Sequence, residues 1–164
     1  MKTEPNKEHQ WLSQLVGEWT YEGEAMMEPG KPPVKFKGTE SVRSVGGLWV
    51  LLEGHGDMLD GGEAITFMTL GYDPQKAQYV GTWLGSMMSH LWVYRGSRDP
   101  EGSILTLDTE GPDASGEGVA RYQDIIEMKN NGHRTLASQR LDADGTWQRF
   151  MTASYRRIAQ VPRE

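Results

Sequence analysis

The sequence predicts an all-β fold, an antiparallel up-and-down barrel of about ten strands with one short helix ahead of it. Three observations carry this. Apolar residues recur with a period of two in one run after another, the signature of half-buried strands. Short turns rich in Gly, Pro, Asp and Asn join the runs, which makes neighbours antiparallel, because parallel strands need long crossovers. A sheet of that many strands must also curl, split or close to manage its edges. A closed or nearly closed barrel is favoured, with a two-sheet sandwich as the alternative.

The helix comes first. Asn6 is a capping residue, Trp11, Leu12, Leu15 and Val16 fall on one helical face, and Gly17 suits the stop. The period then drops to two. From Glu18 to Met27, Trp19, Tyr21, Gly23, Ala25 and Met27 share one face while Glu18, Thr20, Glu22 and Glu24 share the other. The run Pro29-Gly30-Lys31-Pro32-Pro33 ends that strand. Further strands are predicted over Val34–Val45, Leu48–Gly54, Ala64–Gly71, Gln78–Gly85, Leu91–Gly96, Ser103–Thr109, Arg121–Lys129, His133–Leu141 and Trp147–Ile158. Gly46-Gly47, Tyr72-Asp73-Pro74, Asn130-Asn131-Gly132 and Asp142-Ala143-Asp144-Gly145 supply turns, and Gly111–Gly118 reads as a longer flexible loop.

A chain of 164 residues is long enough for one sizeable core, so residues 1–164 are expected to form a single domain with residues 1–7 as a flexible tail. The formal net charge is −6, and no basic run is longer than a few residues, which argues against binding nucleic acid through its phosphates. With no cysteine, disulfides, thiolate nucleophiles and Cys-based zinc sites are excluded. MKTEPNKEHQ has no apolar signal core, and no apolar run approaches the ~20 residues that span a bilayer, so neither a secretory signal nor a membrane anchor is expected. A soluble cytoplasmic protein is the expectation, unless a leader has been removed.

Leu15-Val16-Gly17-Glu18-Trp19 places a Gly-x-Trp after a short helix and at the start of the first strand. This resembles the opening of lipocalins, fatty-acid-binding proteins and nitrobindins, the calycin group. The resemblance implies a Trp that plugs one end of the barrel and an Arg from the last strand packed over it, here Arg156 or Arg157. More specifically, the chain is similar to the bacterial domain-of-unknown-function family numbered 1579. The matching stretches are Leu15–Trp19, Gly71-Tyr72-Asp73, Tyr79-Val80-Gly81-Thr82-Trp83, Ser86-Met87, Leu91-Trp92-Val93, His133-Arg134 and Phe150-Met151-Thr152. That likeness implies a lipocalin-like or nitrobindin-like barrel and no particular activity. Nitrobindins hold haem through a histidine near the chain's end, whereas the last strand here, WQRFMTASYRRIA, has none, so no cofactor is expected.

The segment Ser86-Met87-Met88-Ser89-His90 is an unusual hairpin connection, flanked by Trp83 and Trp92. Read functionally, it is a mobile loop at the barrel mouth whose methionines adapt to an apolar ligand, with Ser86, Ser89 or His90 giving one directed contact. Read structurally, Met87 and Met88 cap the core and His90 is solvated. His55, His90 and His133 show no ligand spacing, so no metal is predicted, and His55 between glycines reads as a loop tip. Charged residues in strands, namely Arg43, Glu53, Asp124 and Arg149, become acid–base or ligand-pairing groups only if they point inward. If Trp147, Met151 and Tyr155 face the interior, alternation turns Arg149 inward too, where it needs an anionic partner. The opposite phase, with Phe150, Thr152 and Ser154 inward, remains open.

The leading function reading is a small-molecule-binding barrel that encloses a largely apolar or amphipathic ligand, with or without a carboxylate. Its candidate ligand-binding residues are Trp19, Trp83, Ser86, Met87, Met88, His90, Trp92 and Arg149. One alternative is a small-molecule enzyme using His90 in the cavity. Another is a ligand-free barrel acting through self-association, and a homodimer is expected in any case.

Overall fold

The computed structural model describes residues 2–58 and 60–159. It contains a short helix, α1 (Lys7–Ser13), and ten strands. They are β1 (Gly17–Ala25), β2 (Val34–Val45), β3 (Trp49–Asp57), β4 (Glu63–Asp73), β5 (Gln78–Gly85), β6 (Trp92–Arg98), β7 (Ile104–Pro112), β8 (Val119–Asn130), β9 (His133–Leu141) and β10 (Trp147–Ala159). Each strand pairs antiparallel with its sequence neighbour, and β1 pairs with β10, so the sheet closes into a barrel without an edge. The sandwich alternative is thereby excluded. None of the described helices is long and apolar enough to cross a membrane.

Local chemistry explains the start. The Asn6 side chain accepts from the N–H groups of Glu8 and His9, and His9 Nδ1 accepts from the Asn6 N–H at 3.0 Å. This reciprocal cap begins the helix at Lys7, inside the stretch expected to be a tail. His9 is buried and contacts the Tyr72 carbonyl at 3.2 Å, while the Trp11 indole donates to the Gly102 carbonyl. Arg98 lies over the Trp11 ring and donates from Nε to the Tyr79 hydroxyl at 2.9 Å. The helix therefore stoppers the end of the barrel where β4 passes to β5 and β6 to β7.

The core inside the barrel is built from the inward phase of every strand, including Trp19, Val42, Leu52, Leu70, Tyr94 and Leu107. Several strands extend beyond the sequence reading because their ladders continue: β3 reaches Asp57, and β7 reaches Pro112 opposite Val119. His55 is therefore not a loop tip. It sits within β3, opposite Ile65, and its ring bonds Glu53 at 2.7 Å and Glu63 at 3.1 Å on the outer surface. These two hydrogen bonds hold the His55 pKa above the ordinary histidine value.

A second correction concerns Arg149. The β9–β10 register shifts between Arg149 and Met151, which leaves Phe150 as the extra residue of a bulge. Met151 pairs with Ser138 on the inward phase, whereas Arg149 pairs with Gln139 on the outward phase and is exposed. Alternation across the bulge does not hold, so Arg149 lies on the outer wall and not in the barrel.

Candidate functional site

The two ends of the barrel are built differently. At the helix end, Trp19 is fully buried and its indole N–H donates to the Leu15 carbonyl at 2.9 Å. Arg157 of β10 stacks on its ring at 4.2 Å from the centroid and donates to the Val16 and Gln14 carbonyls at 2.5 and 2.7 Å. Of the two arginines the resemblance allowed, Arg157 is the one that covers the plug. Trp19 thus closes one end and lies far down the interior from the opposite mouth.

Above this plug lies a polar floor. Arg134 of β9 and Glu40 of β2, 94 positions apart in sequence, form an ion pair inside the barrel. The Arg134 guanidinium also sits 4.0 Å from the Tyr155 ring centroid and 4.7 Å from that of Trp19. Burying a charge demands such compensation, because an unpaired ion in a dry interior is strongly disfavoured. The compensation is incomplete at one atom. Among the described residues, Arg134 Nε has no hydrogen-bond acceptor. Arg134 and Glu40 border an enclosed space of about 40 Å³, walled by Leu52, Met68, Trp83, Ile126 and Leu136. That is room for about one water or one small polar group.

A second polar group stands nearby on the same inward face. The Tyr94 hydroxyl donates to Asp124 Oδ2, and Ser138 Oγ donates to Asp124 Oδ1 at 2.5 Å. Burial raises the Asp124 pKa, and the two hydrogen bonds oppose that shift. Burial and the adjacent carboxylate push the Tyr94 phenol well up, so it stays a donor at neutral pH. Nearer the mouth, Tyr21 is half-buried, and its hydroxyl occupies the places where side chains at Gly38 and Gly56 would begin. Those two glycines leave room for the ring across the barrel.

The mouth carries most of the residues singled out from the sequence. The Trp92 indole N–H points to Met88 Sδ at 3.2 Å, and its ring meets His90 and Tyr122 edge-on at 4.7 and 4.9 Å. His90 Nε2 contacts the Glu110 carbonyl at 3.1 Å, which sets the imidazole as part of a wall. Ser86 extends the β4–β5 ladder, its N–H donating to the Ile65 carbonyl at 2.8 Å and its Oγ accepting from the Ile65 N–H at 2.9 Å. Met87 and Met88 are 39% and 44% exposed, so they roof the rim without being core. Trp83 points inward and reaches the enclosed space. The structure therefore gathers Trp83, Met87, Met88, His90 and Trp92 at the mouth, puts Trp19 at the far end and leaves Arg149 outside.

Sequence reasoning missed Glu40 and Arg134 as site residues. A signal existed: Glu40 falls in phase with Phe36, Gly38 and Val42, and Arg134 with Leu136 and Ser138. Each is a charge on the apolar phase of its strand. No cluster of three or more His, Asp or Glu suited to a metal ion occurs among the described residues.

A closed ten-stranded antiparallel barrel, helix-plugged at one end, with a polar floor beneath an aromatic mouth, defines the structural class. Within that class the chain belongs to the family described as protein of unknown function (DUF1579), whose model matches residues 4–157. It is similar to the crystal structure of Rv2717c from M. tuberculosis, at 14% identity and a TM-score of 0.64, with 94% of this chain and 99% of that one covered. It is also similar to the S-type phycobiliprotein lyase CPES from Guillardia theta, at 12% identity and a TM-score of 0.54, covering 94% and 93% of the two chains. No curated protein matches the chain.

Proposed function

We propose that the barrel binds a small, largely apolar molecule with one hydrogen-bond-accepting end, entering at the mouth and seating that end on Arg134. The observation that carries this reading is the buried Arg134 Nε, a donor without an acceptor, beside an enclosed polar space of about 40 Å³. Leaving such a donor unmatched disfavours the empty state by roughly 1–3 kcal/mol, which an incoming acceptor recovers. The space takes only the polar end. The body of the ligand lies against Tyr21, Trp83 and Leu136, inward residues that keep partial exposure. Met87 and Met88 adapt to it, as flexible thioethers do at variable binding surfaces.

Glu40 already neutralises the guanidinium, so a carbonyl fits without adding buried charge. A carboxylate fits in its protonated form. Native mass spectrometry of the freshly purified protein comes first: a stoichiometric added mass supports the reading. Displacement of a fluorescent fatty acyl probe then measures the site. One saturable site per barrel is expected, lost in Leu136→Trp with the fold retained by circular dichroism. An unadducted native mass together with no saturable binding by fatty acids, fatty ketones, haem or flavins removes the proposal.

A further inference from the structure

The outside of the barrel is two-sided. On β1, β2 and β10 most outward positions are polar, as Glu22, Lys37 and Arg156 illustrate, with Val45 and Ile158 as isolated apolar ones near the strand ends. On β4, β5 and β6, in contrast, they include Ile65, Phe67, Leu84 and Val93, and Leu91 lies just before β6; these five are 37–59% exposed. The register makes them contiguous: Phe67 stands opposite Leu84, and Val93 opposite Thr82. The strand alternation that normally wets an outer face is replaced here by apolar residues on both phases.

The polar atoms inside the patch are satisfied locally. Thr69 and Thr82 hydrogen-bond through their hydroxyls at 2.7 Å, and Thr69 Oγ1 also accepts from the Thr82 N–H at 3.1 Å. Such internal pairing leaves little that burial would strip of a partner. At these exposures the patch presents on the order of 500 Å² of apolar surface, the upper range of what a monomer leaves bare. That is well over half of the ~800 Å² each member of a standard pair buries, and the rim supplies the remainder.

We propose that this face docks on the same face of a second copy of the chain, about a two-fold axis running along β5. Such an axis sets the β3–β4 side of one copy against the β6 side of the other. The first side carries Glu53 and Glu63 at outward positions, two carboxylates that share the single His55 ring, and the second carries Arg95. Asp108, opposite Arg95 in the ladder, is engaged by the Gln123 amide at 2.9 Å. The rim is thus self-complementary in charge, while the patch itself is uncharged. That matters for a chain of formal net charge −6, whose copies otherwise repel.

Sedimentation velocity between about 1 and 100 µM tests this directly. The wild-type protein is expected to be a dimer. Leu84→Glu combined with Val93→Lys should weaken association at least about 100-fold and give a monomer with unchanged circular dichroism. Thr82→Arg, which keeps every apolar side chain, should do the same, so misfolding of one variant does not decide the matter. Glu53→Arg should loosen the dimer, and adding Arg95→Glu should restore it. A wild-type monomer at the highest concentration overturns the proposal, as does a dimer indifferent to both patch variants. Cosedimentation of a monomer with phosphatidylcholine vesicles also overturns it, by assigning the face to lipid.

Discussion

Trp19 and Trp92 both point into the barrel, from opposite ends, and they are held by different kinds of contact. Trp19 has a backbone carbonyl on its indole N–H and guanidinium groups stacked over its ring, and it is inaccessible to solvent. Trp92 has a thioether sulfur on its indole N–H, and ring neighbours that share its partial exposure. Carbonyl and guanidinium contacts are directional, and their partners sit on strands and on the turn between the capped helix and β1. A Met sulfur is a weak acceptor on a chain of rotatable bonds. One end of the barrel is held by directional polar contacts, and the other by a sulfur contact and ring packing.

Stability should report this difference most strongly. Trp19→Ala is expected to cost about 3–5 kcal/mol in urea unfolding, with Trp92→Ala costing less because its ring is partly exposed already. Equal losses at the two positions would break the contrast. Next in size is the polar floor that separates the ends. Arg134→Met leaves Glu40 buried without its counter-ion and should cost about 3 kcal/mol, while the Arg134→Met, Glu40→Leu pair recovers most of it. A double-mutant cycle that shows no coupling would remove the ion pair from the account.

The smallest effect belongs to the outer surface. The folded-state pKa of His55 is raised by Glu53 and Glu63, so its contribution is fully present below the unfolded value near 6.5 and is lost as pH rises through the folded value. His55→Gln should therefore narrow the stability difference between about pH 6 and pH 8 and leave the mouth unchanged. Melting temperatures measured across that range check the sign. A histidine on an exposed wall gives only a slight effect, and one larger than the Arg134 effect would contradict the placement of both.

Much of the barrel was legible because each strand buries one face, and period two records that directly. Val34–Val45 and His133–Leu141 match their predicted bounds, and Asn6 caps the helix as its side chain suggested. The mouth was half legible: an odd turn composition marked Met87, Met88 and His90 without giving their partners. Arg149 was misplaced because a single unpaired residue at Phe150 reverses the phase of everything before it, and no local pattern announces a bulge. Glu40 and Arg134 were passed over because an ion pair spanning 94 residues is visible only after the sheet has closed.

The seam between β1 and β10 also concerns synthesis on the ribosome. The first strand made is completed by the last, with Trp19 registered against Arg157 and Tyr21 against Tyr155. Until β10 emerges, nine strands exist with two open edges, and the Trp19 ring lacks the Arg157 cover from β10. Such non-local closure is slow and leaves unpaired edges exposed in the interim. The nascent chain therefore acquires its plugged end and its polar floor together, at the final step of translation through the barrel.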